Sequence, residues 1–179
     1  MKADVERTLA PLVGLPLWDA GRESNMLALQ FGERRSSPTR VDPGREVGGY
    51  ALRVYCAWRL ARGSTILAGS GDLFTPADPD EELDTFDYDA PGATWWDVRV
   101  AAYMAAASSD GKPAPVVTAV AGDALGGARI TLGDGATLEI FPNSAPAERF
   151  ETEFWRLVQP GSAEADVVVG TFGVERQHG

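Results

Sequence analysis

The sequence predicts an α+β fold, mostly antiparallel β, made of two pseudo-repeated β-meanders with a connecting helix and a short N-terminal helix. Three observations predict it. Apolar and polar residues alternate with period two through "YALRVYCAWRLA" and again through "ARITL" and "ATLEIF", the pattern of half-buried strands. The segment "TWWDVRVAAYMAAA" is rich in helix formers instead. Finally, Trp-Arg-Leu occurs twice, at Trp58 and at Trp155, each time followed by a Gly-Ser turn and a further β run. At 179 residues and 44% hydrophobic content, one domain can bury a core without staples.

Val5, Leu9 and Leu12 share one stripe of the opening helix, and Pro11 marks its end. "LPLWD" and "NMLALQF" read as short strands joined by a turn in "AGRES", with Leu27 and Leu29 alternating with Ala28 and Gln30. Residues 32–49 carry two prolines and almost nothing to bury, as a surface loop does. From Tyr50 the chain reads as a single strand, with Leu52, Val54, Cys56, Trp58 and Leu60 on one face and Arg53, Tyr55, Ala57 and Arg59 on the other. "RGS" turns it into "TILAGSGDLF", a return strand broken by Gly69 and Gly71. An acidic, proline-bearing connector, residues 76–93, separates the halves.

The connecting helix is expected over residues 94–107, capped by Thr94 with Asp97 three positions on, and buried through Trp95, Val98, Ala102 and Tyr103. In the second half "GDG" between two alternating runs predicts a hairpin. "EFWRLV" and "DVVVGTFGVE" then read as strands on either side of "PGSAEA", with fraying beyond Arg176.

The recurrence extends beyond three letters. In each half a strand with alternating aliphatics (Leu27 and Leu29; Leu138 and Ile140) precedes a loop, then Trp-Arg-Leu, then a turn and a β run ending near an acid. The repeats span about residues 13–75 and 115–176 of a single domain, 1–179. A lone meander is marginal, so two copies bury each other's apolar faces. Trp58 and Trp155 are then expected in the shared core, with Arg59 and Arg156 on the opposite faces, paired with carboxylates or lining a groove between the copies.

Sixteen basic against twenty-six acidic residues give a net charge of −10, which repels nucleic-acid phosphate and anionic lipid, so neither nucleic acid nor membrane is an expected partner. No stretch approaches the length of a membrane span. The opening "MKADVERTLAPLVG" lacks the features of a secretory signal and Cys56 is the only cysteine, so the expected location is the cytoplasm. His178 is the only histidine, which leaves no internal imidazole base, and one Cys with one His cannot form a structural zinc site. No cofactor and no metal are expected. Ser109 and Lys112 in "SSDGK" lack the companion motifs of a Ser-Lys enzyme, and "GSGDLF" lacks the third glycine of a dinucleotide loop. Asp78, Asp80 and Glu82 in the connector alternate as calcium ligands can, without the central glycine and distal glutamate of an EF-hand. Trp18, Asp19, Arg22 and Glu23 place an aromatic and opposed charges around one turn, either a ligand corner or a salt-bridged turn with Trp18 anchoring the core.

The stretches "LPLWDAGRESNMLALQFGERR", "YALRVYCAWRLARGSTILAGSGDLF", "LEIFP" and "EFWRLV" resemble a group of small bacterial proteins of unknown function that carry Trp-Arg-Leu strands and "GSGD"-like turns. The resemblance implies a bacterial cytosolic origin and no catalytic residues. The functional expectation is an acidic protein-interaction module, in the manner of an immunity protein masking a basic toxin, with a protein partner or self-association into a homo-oligomer. The alternative is a small-ligand binder or carboxylate-dependent hydrolase with its site between the pseudo-repeats, formed by Trp18, Arg59, Asp72 and Arg156.

Overall fold

A computed structural model describes residues 1–37, 44–145 and 151–178. Helix α1 (Lys2–Leu9) runs into a 3-10 turn, Ala10–Leu12, that contains Pro11. Val5, Leu9 and Leu12 are fully buried, as their spacing requires. The strands of the first half are β1 (Leu17–Glu23), β2 (Met26–Phe31), the short pair β3 (Arg35–Ser36) and β4 (Glu46–Val47), β5 (Tyr50–Val54), β6 (Ala57–Arg62) and β7 (Thr65–Gly69). After a 3-10 turn (Ser70–Phe74) and the acidic connector comes α2 (Trp95–Ala107). The second half holds β8 (Val117–Gly122), β9 (Ala128–Leu132), β10 (Ala136–Phe141), β11 (Glu153–Val158), β12 (Asp166–Gly170) and β13 (Gly173–Gln177). The α+β, mostly antiparallel fold is as the sequence predicts.

Two sheets carry the structure, one ordered β1-β2-β5-β11-β12-β13 and the other β7-β6-β10-β9-β8. Their inner faces meet in one core that holds Trp58, Trp96 and Trp155. Every pairing is antiparallel, and each sheet is completed by the other half: β5 pairs with β11, and β6 with β10. The registers correspond. Trp58 faces Ile140 and Leu60 faces Leu138, while Trp155 faces Val54 and Leu157 faces Leu52. The β1/β2 register slips between Leu17 and Asp19, and the β8/β9 register slips between Val117 and Ala119. Where the halves touch, the Leu17 amide donates to the Pro115 carbonyl at 2.8 Å, and the Val117 amide donates to the Leu15 carbonyl at 2.9 Å. α1 packs on β8 and α2 on β1. Apart from β13 and the β3/β4 pair, exchanging the halves therefore leaves the pairing pattern unchanged.

Several local expectations are corrected. The run Tyr50–Leu60 is two strands in different sheets, because the chain bends at Tyr55 and Cys56; parity survives the bend, so Leu52, Val54, Trp58 and Leu60 all remain buried. The register counterpart of Leu138 and Ile140 is Leu52 and Val54, not Leu27 and Leu29, which are opposite Val54 and Leu52 on the neighbouring strand. β1 continues through Glu23, so the "AGRES" turn shrinks to Ser24 and Asn25, with Ser24 at φ 54°. α2 buries Trp96, Val100 and Tyr103; Trp95, Val98 and Ala102 face outward. "DVVVGTFGVE" is a hairpin rather than one strand. The loop expected at 32–49 contains the β3/β4 pair, and its residues 38–43 lie outside the described residues.

Candidate functional site

The halves differ most in their helices. α2, with 13 residues, lies against both β1 and β7 and closes the gap between the sheets; only a cavity of about 20 Å³ remains, among Trp58, Val100, Tyr103 and Leu138. α1 has 8 residues and packs on β8. Between α1 and the β12/β13 hairpin a cleft of about 560 Å³ stays open. One wall is Asp4, Arg7, Thr8 and Pro11 from the first half; the other is Gln159, Glu164, Val174, Glu175 and Arg176 from the second, with Tyr50 and Leu157 at the base. β13 has no strand counterpart in the first half, where β7 is followed by the 3-10 turn Ser70–Phe74.

Some groups in the cleft are engaged and others are free. Asp4 accepts from the Met1 ammonium at 2.9 Å and from Arg7 Nη1 at 3.1 Å, and these cations, the ammonium above all, hold its carboxyl below the ordinary aspartate value. Among the described residues, the side chains of Thr8, Tyr50, Gln159, Glu164, Glu175 and Arg176 make no hydrogen bond or ion pair. Two carboxylates and one guanidinium are thus unpaired, beside neutral donors and acceptors and an apolar base. Such a surface recognises a ligand by hydrogen bonds and charge.

The four residues expected to form one site each have other partners, and none bonds to another of the four, although Asp72 is held by Gly69, the cross-strand neighbour of Arg59. Trp18 is half-buried on β1 under the Arg34 guanidinium, 4.6 Å from the ring centre, and its indole N–H is buried without a partner. Arg59, on the outer face of β6, gives its Nε–H to Glu139 at 2.5 Å. Asp72 accepts from the Gly69 amide at 2.9 Å and from Arg99 on α2. Arg156 is clasped by Glu153, with Asp166 at 3.4 Å, and its hydrogen bonds with Glu153 hold it more firmly protonated. None of the four lines the open cleft. Nor do Trp18, Asp19, Arg22 and Glu23 form a corner: they lie along one strand, where Arg22 reaches Asp97 and Glu23 reaches Arg45. The residues that do line the cleft gave one sequence signal, the unequal lengths of the two helical segments.

Burial raises the Cys56 thiol to about 12, where the thiolate is scarce at neutral pH. Among the described residues no group of three or more His, Cys, Asp and Glu side chains is arranged to hold a metal ion. No described helix is long and apolar enough to cross a membrane. Comparison with protein-family models, with curated proteins and with solved structures gives no match for this chain.

Proposed function

We propose that the protein is a non-catalytic interaction module and that the cleft between α1 and β13 seats a cationic segment of a protein partner. The observation that carries this reading is the asymmetry of the two helices: the same architecture is closed by α2 in one half and left open by α1 in the other. Charge supports the choice of partner. The cleft is lined by three carboxylates, Asp4, Glu164 and Glu175, against the two guanidiniums of Arg7 and Arg176, and the chain as a whole has a net charge of −10, which steers a basic partner inwards. A basic protein whose active surface is masked on binding is a partner of this kind. A small polar ligand is the second reading, favoured by volume, because about 560 Å³ falls within the roughly 300–1,000 Å³ of ordinary ligand sites.

The test is quantitative affinity capture from the native host with the wild-type chain and with Thr8→Trp, whose indole fills the cleft from α1. A basic partner held by the wild type and depleted with Thr8→Trp, at equal far-UV circular dichroism, is the expected result. Equal capture by both sinks the proposal. A metabolite that raises the Tm of the wild type but not of the variant moves the assignment to the second reading.

A further inference from the structure

The outer face of the β7-β6-β10-β9-β8 sheet is covered by neither helix, and a row of charges crosses its centre. Arg59 on β6, Glu139 on β10 and Arg129 on β9 are direct cross-strand neighbours. Arg59 Nε donates to Glu139 Oε2 and Arg129 Nη2 to Oε1, both at 2.5 Å. The Glu139 side chain is 12% exposed, whereas the Arg59 and Arg129 side chains are 45% and 62% exposed. Chiefly through its bond from Arg59, Glu139 is held below the ordinary glutamate range and stays ionised. Arg59 also lies 4.9 Å over the ring centre of Phe141, so a second contact fixes its plane.

The charge balance here differs from that at the equivalent place in the other sheet, where Arg53 stands directly opposite Arg156 and the two arginines are accompanied by two carboxylates. Arg156, the register counterpart of Arg59, is shared by two carboxylates, Glu153 and Asp166. At Arg59 two guanidiniums share one carboxylate, so the row itself has one cation in excess on a chain of strongly negative net charge; Asp123, which lines a neighbouring hollow with Arg129, makes no ion pair with it. Hollows of about 450 Å³ and 290 Å³ adjoin the row, and Arg129 and Glu139 line both. The larger one continues over Ala61, Gly63, Ser64 and Ile66. Guanidiniums held by a shared carboxylate have already lost much of their rotamer freedom, so an added anion orders less on arrival.

We infer that the Arg59–Glu139–Arg129 row is a binding site for an oxyanion, a phosphate or carboxylate carried by a small molecule whose uncharged body lies over Ala61 and Ser64. Each guanidinium keeps N–H groups beyond those given to Glu139, and an oxyanion between them accepts from both. The site is distinct from the cleft beside α1 and does not rest on its assignment.

Titration of the full chain with inorganic phosphate and, separately, with acetate at constant ionic strength tests this, read by the Nε–Hε NMR signals of the arginines. Saturable shifts confined to Arg59 and Arg129 are expected, and the tighter anion names the source of the oxyanion. Arg129→Ala is expected to weaken binding about tenfold or more, and Arg59→Lys, which keeps the charge but loses the fork, to weaken it by a comparable factor. Arg62→Ala, three residues along β6 and paired with Asp134, leaves it unchanged. Shifts that fail to saturate with either anion, or Arg59→Lys and Arg129→Ala both binding like wild type while folded, overturn the inference.

Discussion

Trp58 and Trp155 hold equivalent places in the two sheets, opposite Ile140 and Val54, yet only Trp155 has an acceptor for its indole N–H, the Gly126 carbonyl at 2.8 Å. The Trp58 N–H is buried without one; its ring instead meets Trp96 edge-on, with centroids 5.0 Å apart and planes at 74°.

Phenylalanine at the two positions should therefore have unequal effects. Trp155→Phe removes a made hydrogen bond and leaves a buried carbonyl unsatisfied, whereas Trp58→Phe removes a donor that has no partner. Trp155→Phe is expected to be the more destabilising by about 1–2 kcal/mol in urea unfolding. Equal losses would contradict the hydrogen-bond assignment.

Arg22 and Asp97 tie β1 to the first turn of α2, Nε to Oδ1 at 2.6 Å, with the Arg22 side chain only 6% exposed. Asp97→Ala takes the nearer carboxylate from that buried guanidinium, leaving it Asp89 at 3.7 Å and the Ser24 and Ala90 carbonyls, and should cost about 1–3 kcal/mol. Burial alone would raise the Asp97 pKa, but hydrogen bonds from Arg22 and Thr94 outweigh it and hold the carboxyl below its ordinary value. The folded value is the lower one, so this stabilisation is fully present above the unfolded aspartate pKa of about 3.9 and is lost as pH falls through the folded value. The stability gap between wild type and Asp97→Ala, read from urea melts, should narrow from pH 7 to pH 3. A constant gap would mean that the carboxylate charge is not what matters.

Gly122 occupies on β8 the register place that Arg22 holds on β1, and it fastens the other helix by a different means. A Cβ there would stand 2.7 Å from Val5 Cγ1 and 3.0 Å from the Lys2 carbonyl oxygen, so α1 seats on β8 only because the side chain is missing. Gly122→Ala should push α1 outward at a cost of about 1–3 kcal/mol. Amide exchange should quicken across residues 2–9 and not in α2. Unchanged protection of α1 would show that the strand, rather than the helix, gives way.

What the sequence determined by itself was local. Alternation set which side of each strand is apolar, Thr94 and Asp97 marked the start of α2, and Gly133-Asp134-Gly135 marked a hairpin, because each signal depends on residues within a few positions of one another. The recurrence of Trp-Arg-Leu also reflected a real correspondence of register. Tertiary structure alone decided which strands pair and where the chain changes sheet: the bend at Tyr55 and Cys56 keeps the alternation intact and so leaves no trace in it. The choice of Trp96 over Trp95 as the buried indole depended on Trp58, far away in sequence. The cleft was hidden for the same reason, since it is the space left when a short helix spans a gap whose width is set by strands more than a hundred residues distant.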